Sequence, residues 1–261
     1  MNLTPRCSPP LDRKHERPRV VIARRAFAIA AVLSLGACRG PAPEGVVRWA
    51  GAQHAAVHDG DVASKVRLKD LARQSHLYAI GPVEGLQGEI IVVDGKPTIV
   101  TVDGPGFRTR ESLDLGAAFL VWTHAKAWTR AAIPPHVRTL DEVEAYLPQV
   151  APDAATEPVA FRIEGLARNL RFHVLNPPPG GVRNSEDHER SKIRGEIRDR
   201  PVRMVGFYST EHRGVFTPAT SDVHVHFVTD DGTLAGHVED FEIDAGASLL
   251  LVENAAGTAR N

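Results

Sequence analysis

Three histidines in the C-terminal half have residue types and spacing suited to a metal site. His224 and His226 are separated by one valine, and His237 follows after a short polar segment. Neutral imidazoles are common ligands of first-row metals, and three protein ligands with one open position are typical of catalytic zinc. We therefore predict a Zn²⁺ cofactor on these three side chains, although imidazole also suits copper, iron and nickel.

The pattern around these histidines predicts a β-hairpin that brings them together. Side chains alternate along a strand, so His224 and His226 share one face while their apolar neighbours take the other. Asp231-Gly232 is a preferred pair for a two-residue hairpin turn. With the turn centred there, His226 lies opposite His237, about 5 Å away at Cβ, and His224 lies on the diagonal. Outside such a pairing, a histidine is more often a surface residue or a hydrogen-bonded core residue.

The rest of the sequence predicts an α+β fold with mostly antiparallel or mixed β-sheets. Two β-branched runs flank Asp94-Gly95 and predict a second hairpin. Thr139 and Glu142 have the spacing of a capping box, which predicts a helix that begins there and ends near Leu147. We also expect an amphipathic helix over 61–73, a loop or excursion over 184–200, and strands over 115–123, 159–163, 203–208, 222–229 and 233–243.

The first 38 residues have the features of an export signal. A basic segment ends at Arg24-Arg25, and an apolar run of small and aliphatic residues then leads to Cys38. The sequence Leu-Gly-Ala-Cys at 35–38 resembles the lipobox of bacterial lipoproteins, in which the cysteine is acylated. We therefore expect lipidation of Cys38 and a location in the cell envelope. The alternative is a short buried helix that ends at a free thiol.

Beyond this signal we expect a tether and two structured parts. Residues 39–47 are rich in proline and glycine and read as the tether. Residues 48–150 form the predicted N-terminal α/β part, and 151–261 form a β-rich, zinc-binding C-terminal part.

Charge and composition exclude several classes of function. The whole chain carries 31 Lys plus Arg and 32 Asp plus Glu, a net charge of −1. The basic leader masks an acidic remainder, so no nucleic-acid partner is expected. No apolar run reaches the roughly 20 residues that span a bilayer, and we expect membrane contact through the lipid anchor only.

Several motifs together resemble the acetolactate decarboxylase family. The resemblance extends from about residue 47 to residue 252, and its most specific part is similar to the zinc-binding stretch of that family. The matching segments are MVGFYS at 204–209, HVHF at 224–227, GHVEDF at 236–241, FRIEG at 161–165 and IGPVEGLQGE at 80–89.

This resemblance implies a zinc enzyme that converts 2-acetolactate, a small 2-hydroxy-3-oxo acid, to acetoin and CO2. It also implies a two-part α/β fold that is often dimeric, so we expect a homodimer with zinc on His224, His226 and His237. Glu89 matches an active-site glutamate and would transfer or orient a proton. Without the resemblance, Glu89 would read as a surface carboxylate at a strand edge.

The sequence departs from the family pattern around the substrate. Pro82 stands where the family has a threonine, and the arginine expected to hold the substrate carboxylate falls at His173. Arg171 shares a strand face with His173, so both are candidate catalytic residues. Glu239 is predicted to lie beside the metal, where the family usually has an apolar residue, either supporting a ligand or facing solvent. The sequence also ends before the position of a C-terminal active-site glutamate.

These departures leave two principal functions open. The first is zinc-dependent decarboxylation of 2-acetolactate or a related 2-hydroxy-3-oxo acid, against which export counts because acetolactate is made in the cytoplasm. The second is a diverged, catalytically impaired envelope lipoprotein that binds zinc and a small ligand. A cupin-like oxygenase or a hydrolase ranks third, because a cupin motif requires a glutamate soon after the His-x-His pair.

Overall fold

The chain is built mainly from antiparallel β-strands. A computed structural model describes residues 43–178 and 181–252, all of which belong to one unit. The predicted signal peptide at 1–38, its lipidation site Cys38 and residues 39–42 of the tether lie outside the described residues. The strands are β1 (Arg48–Ala50), β2 (Val66–Arg67), β3 (Leu77–Pro82), β4 (Glu89–Val93), β5 (Lys96–Asp103), β6 (Gly106–Arg110), β7 (Gly116–Ala117), β8 (Leu120–His124), β9 (Trp128–Ala131), β10 (Val159–Leu175), β11 (Lys192–Tyr208), β12 (Val223–Thr229), β13 (Ala235–Ile243) and β14 (Ser248–Val252).

The helices are short and lie outside the sheets. They are α1 (Gln53–His58), α2 (Leu68–Leu71), α3 (Leu140–Val150) and α4 (Ser185–Ser191). Single 3₁₀ turns occur at Glu84–Leu86 and Pro152–Ala155. Within the described ranges, none of these helices has the length and apolar character required to cross a bilayer.

Two six-stranded sheets hold most of the described strands. The first has the order β1-β8-β3-β4-β5-β6, and the second has the order β11-β12-β13-β10-β14-β9. The long strands β10 and β11 also pair with each other, from Val159↔Tyr208 to Leu175↔Lys192. Strands β10 to β13 therefore pair in a closed ring. The α+β prediction with mostly antiparallel sheets is confirmed.

A shared apolar core holds the two sheets together. Side chains of the first sheet, such as Ile91 and Val100, belong to the same buried cluster as Phe172 and Phe227 of the second. The rings of Phe172 and Phe227 meet edge to face with centroids 5.0 Å apart. Burial of each large side chain contributes about 1.5–3 kcal/mol. Gly236 is required beside this core, because a Cβ there would lie 2.6 Å from the Phe172 ring.

Three local predictions are confirmed. Strands β4 and β5 pair from Val93↔Lys96 around Asp94-Gly95, and both turn residues have positive φ, as a two-residue turn requires. The capping box of α3 is present, with the Glu142 amide donating to Thr139 Oγ1 at 3.4 Å. His226 lies directly opposite His237 in the β12–β13 ladder.

The predicted helix over 61–73 is wrong except for one turn, Leu68–Leu71. Val66–Arg67 instead forms a strand with Gly116–Ala117, and the Leu68 amide donates to Leu115 O at 3.1 Å. This pairing with a distant segment overrides the local helical spacing. It also accounts for the break in the predicted strand over 115–123, which forms two short strands, β7 and β8, instead of one.

The predicted loop over 184–200 is also wrong. Asn184 caps α4 by accepting from the Asp187 amide at 2.9 Å, and β11 begins at Lys192. The charges are solvated on the outer face of a strand that pairs with β10 over its full length.

The predicted division of the chain at residue 150 stays a prediction. Strand β9 precedes this position but lies in the second sheet.

Candidate metal centre

Three imidazoles converge where the β12–β13 hairpin faces the first sheet. Ring nitrogens of His224, His226 and His237 all lie within 4.8 Å of one another. The Nε2 atom of His224 is 3.0 Å from His226 Nε2 and 3.1 Å from His237 Nδ1. Strand alternation places the first two rings on one face, and the cross-strand pairing of His226 with His237 adds the third.

Backbone carbonyls hold the first two rings in one tautomer. His224 donates from Nδ1 to Phe216 O at 2.7 Å, and His226 donates from Nδ1 to Ile90 O at 2.8 Å. Burial lowers the pKa of His224 to about 4, and it also lowers the pKa of His226 well below its usual range. Both rings are therefore neutral and carry their remaining lone pair on Nε2.

This arrangement fits a cation better than it fits a hydrogen-bonded cluster. With both Nδ1 protons donated to carbonyls, the two Nε2 atoms of His224 and His226 present lone pairs to each other at 3.0 Å. Neither can donate to the other, so the contact is repulsive unless a positive charge lies between them. Tetrahedral zinc with bonds of about 2.0–2.1 Å sets its nitrogen ligands roughly 3.3 Å apart. The three histidines can therefore bind a metal ion.

Glu89 is a buried carboxyl beside the cluster. Its Oε2 lies 3.8 Å from His226 Nε2, and its Oε1 accepts from the Leu175 amide at 3.3 Å. The side chain is almost fully buried at the first residue of β4, rather than at the surface. Burial raises the pKa of Glu89 to about 8, so the carboxyl holds its proton at neutral pH. Gly88 precedes it with a φ of 120°, and a Cβ there would lie 2.3 Å from Val100 O.

A small cavity of about 80 Å³ opens onto these groups. Pro82, the residue that replaces a threonine, lies in its wall and pairs with Glu89 across β3 and β4. The remaining wall comes from α1, from the loops before β8 and β12, and from the junction between α4 and β11. Its described lining residues are Gln53, Pro82, Glu89, Phe119, His173, Leu175, His188, Lys192, Pro218, His224 and His237.

His173 is buried against the metal centre and connects it to the surface. Its ring stacks on His237 with centroids 4.4 Å apart, and its Nδ1 lies 3.0 Å from Glu239 Oε1. Burial lowers the pKa of His173. Arg194 donates from Nε to the same Glu239 oxygen at 3.0 Å and also contacts Glu189. We call His173, Glu239, Arg194 and Glu189 the ion-pair chain.

Two predicted positions need correction. The β12–β13 ladder ends at His226↔His237, so Glu239 does not lie opposite His224. It is instead the extra residue of a β-bulge, because Val238 pairs with Phe172 and the next pair is Arg171↔Asp240. The bulge directs the Glu239 carboxylate to His173, one ring removed from the metal ligands.

Arg171 lies at the surface rather than in the cavity wall. Its side chain is 59% exposed and pairs with Asp240 at 3.0 Å. Of the two candidates for a substrate contact, only His173 lies against the cavity.

Two cavity residues, His188 and Lys192, were not predicted from the sequence. Both lie in the charged segment that was predicted as a loop, and helix α4 places them beside the histidines. Burial lowers the pKa of His188 to about 4, so this ring is neutral as well. The Asn-x-x-Asp cap at 184–187 was the available sequence signal for α4.

Comparison with known proteins agrees with this architecture. The model of the alpha-acetolactate decarboxylase family matches residues 52–254, which include all three histidines and Glu89. The chain belongs to this family. Alpha-acetolactate decarboxylase of Lactococcus lactis is 24% identical over 204 residues, which cover 75% of this chain and 78% of that protein.

Solved structures share the fold. Alpha-acetolactate decarboxylase from Bacillus subtilis superposes with a TM-score of 0.66 at 16% identity, over 79% of this chain and 84% of that chain. A Staphylococcus aureus protein of unknown function, described as similar to alpha-acetolactate decarboxylase, superposes with a TM-score of 0.63 at 20% identity. That match covers 80% of this chain and 85% of the other. The family expected from the sequence motifs is therefore confirmed.

Proposed function

We propose that this protein decarboxylates 2-acetolactate, or a related 2-hydroxy-3-oxo acid, to acetoin and CO2 with a zinc ion held by His224, His226 and His237. The observation that carries the proposal is the pair of Nε2 atoms of His224 and His226 that face each other at 3.0 Å beside the buried carboxyl of Glu89. Membership of the alpha-acetolactate decarboxylase family supports the reaction and the small-molecule substrate.

The reaction requires one bond to break and one proton to be delivered. The bond between the carboxylate carbon and C2 breaks, CO2 leaves, and the electron pair of that bond moves toward the neighbouring ketone. When bound to the three histidines, zinc supplies a Lewis acid that polarises oxygen atoms of the substrate. One carbon of the resulting enediolate anion must then receive a proton to give neutral acetoin.

Glu89 is positioned to deliver that proton. Its carboxyl lines the cavity, and burial raises its pKa to about 8, which favours the protonated form. The hydrogen bond from the Leu175 amide to Oε1 fixes the orientation of the group. Positioned general acids of this kind contribute roughly 10²–10⁴-fold to a rate.

The small cavity supports a substrate of this class. Its volume of about 80 Å³ is too small for a nucleotide or a sugar chain. The neutral rings of His224, His226 and His237 leave the metal ion with its full charge, which favours an anionic substrate.

The test is to assay the purified protein with racemic acetolactate after its metal content has been measured. We expect about one zinc per chain and acetoin formation well above the rate of spontaneous decay. If the protein contains zinc near one per chain but forms no excess acetoin, the decarboxylase function is excluded and the metal-binding function remains.

That second outcome would favour the diverged binding protein. His173 and Pro82 in the cavity wall are the specific observations behind this alternative, because neither offers the charge or hydroxyl expected there. A histidine cannot form the bidentate contact that arginine makes with a carboxylate.

We further propose that the chain is exported and lipidated at Cys38. The support is the basic segment, the apolar run and the Leu-Gly-Ala-Cys sequence at 35–38. Growth with a labelled fatty acid should label the wild-type protein and leave C38S unlabelled. Equal labelling of the two proteins would contradict lipidation at this residue.

A further inference from the structure

The cavity wall contains one permanent positive charge that the proposed mechanism does not use. Among the described residues lining the cavity, Lys192 is the one lysine, and no arginine joins it. Its side chain is 19% exposed, so most of it is buried. It lies at the first position of β11, directly after α4.

The histidine rings of the wall are less suited than Lys192 to hold an anion. His188 is neutral because burial lowers its pKa to about 4, and His224 donates from Nδ1 to Phe216 O at 2.7 Å. His173 already uses Nδ1 for its hydrogen bond to Glu239, at 3.0 Å. A carboxylate that enters a buried cavity needs an opposite charge or several donors to replace water.

Backbone pairing fixes where Lys192 lies relative to the reacting groups. Its Cα pairs with that of Leu175 across β10 and β11, and the Leu175 amide is the donor to Glu89. Lys192, Glu89 and His237 all line this cavity.

The ion pair between Lys192 and Glu189 can be broken at a low cost in free energy. Its Nζ lies 2.8 Å from Glu189 Oε2, but Arg194 also contacts Glu189. Glu189 is an exposed carboxylate, so water and Arg194 would still satisfy it after Lys192 had turned toward the cavity. The flexible four-carbon stem of lysine permits such a movement.

We propose that Lys192 binds the carboxylate of the substrate and takes the place of the arginine that His173 does not supply. This inference rests on the proposed function for the identity of the substrate. The chemical class that it predicts is a small 2-hydroxy acid in its anionic form. No covalent bond changes in this step, because the lysine only pairs with the carboxylate before CO2 leaves.

The test uses an unreactive acid, so that it does not depend on turnover. Binding of 2-hydroxyisobutyrate and of 2-hydroxyisobutyramide would be measured by calorimetry on zinc-loaded wild type, K192M, K192R and K96M. Lys96 is the matched control, because it is an exposed lysine paired with Glu111 outside this cavity. Zinc content and thermal unfolding would be checked for every variant.

We expect K192M to bind the acid about tenfold or more weakly than wild type, because a charge-assisted hydrogen bond is lost. K192R should stay within about threefold of wild type, K96M should be unchanged, and the amide should bind all four proteins equally. With acetolactate, KM should rise more than kcat falls in K192M.

Two results would overturn the inference. The first is that K192M binds the acid as tightly as wild type does at equal metal content. The second is that the wild-type protein binds the acid and the amide with equal affinity. If K192M does not fold, K192Q would be measured in its place under the same criteria. Acid binding that depends on Lys192 without any acetoin formation would retain this inference and reject the decarboxylase function.

Discussion

Two groups of polar side chains meet at His237, and they satisfy their charges in opposite ways. The histidine cluster with Glu89 is neutral, buried and joined to backbone atoms, through Phe216 O and Ile90 O. The ion-pair chain of His173, Glu239, Arg194 and Glu189 runs outward and pairs each carboxylate with a cationic or hydrogen-bonding partner. The histidine cluster lacks the positive charge that would offset the repulsion between its facing nitrogen lone pairs. In the ion-pair chain, by contrast, the charged side chains already have partners within the protein.

This difference separates the residues expected to carry chemistry from those expected to support them. A substitution in the histidine cluster should remove both the metal ion and the activity, because the cluster needs that ion to offset its lone pairs. A substitution in the ion-pair chain should disturb only the orientation of the neighbouring rings, so zinc content and activity should change less. Substitutions in the two groups therefore test whether the contrast is real.

The largest effect is expected from H226A. This substitution removes a buried ligand, so zinc should fall from about one per chain to less than one-tenth, measured by atomic emission. Activity on acetolactate should fall about 10³-fold or more, since Lewis-acid stabilisation is worth several kcal/mol.

H76A is the matched control for that variant, because His76 pairs with Asp94 at the surface, 2.8 Å away. It should retain both zinc and activity. Equal zinc content in H226A and wild type would show that the metal, if present, binds elsewhere.

The next largest effect is expected from E89Q. The amide keeps the shape of the side chain but has no acidic proton, so kcat should fall roughly 10²–10⁴-fold. Zinc content should not change, because Oε2 of Glu89 lies 3.8 Å from the nearest histidine nitrogen. E111Q, at an exposed glutamate paired with Lys96, serves as the control. Wild-type kcat in E89Q would exclude Glu89 as the proton donor.

A smaller effect is expected from E239Q in the ion-pair chain. It weakens the hydrogen bond to His173 and leaves the three ligands in place, so activity should fall about three- to tenfold. The matched control is D240N, at the adjacent carboxylate that pairs with exposed Arg171. If E239Q lost zinc as completely as H226A, the separation between the two groups would be wrong.

The smallest effect is expected from T139A, which lies in neither group. Loss of the N-cap of α3 should lower the free energy of unfolding by about 1 kcal/mol, measured by urea denaturation. T139S should restore most of that stability. Zinc binding and activity should be unchanged in both variants.

The sequence was informative wherever local rules decide the structure. Alternation along β12 and the register of its hairpin predicted the histidine cluster, and the Thr139 capping box predicted α3. It was misleading where distant pairing overrides local pattern. The charged segment at 184–200 looked like a loop because most of its side chains are charged, yet its second half pairs with β10.

The remaining parts of the site depend on tertiary contacts that no local pattern encodes. The carbonyl of Ile90, which holds His226, comes from a different sheet, and the bulge at Glu239 appears only when β13 pairs with β10. Lys192 enters the cavity wall because α4, whose Ser185 hydroxyl lies 3.1 Å from His58 of α1, leads directly into β11. Motif resemblance supplied the role of Glu89, since its burial is a consequence of packing.

The most direct test is a zinc titration of the metal-free protein, in which bound zinc and acetoin formation are measured on the same samples. If decarboxylation requires zinc on the three histidines, activity should rise in proportion to bound zinc and saturate at one ion per chain. A chelator should remove both, and H226A should show neither. Full activity in the metal-free protein would contradict the requirement for zinc. Saturation with zinc without any acetoin above spontaneous decay would contradict the decarboxylase function.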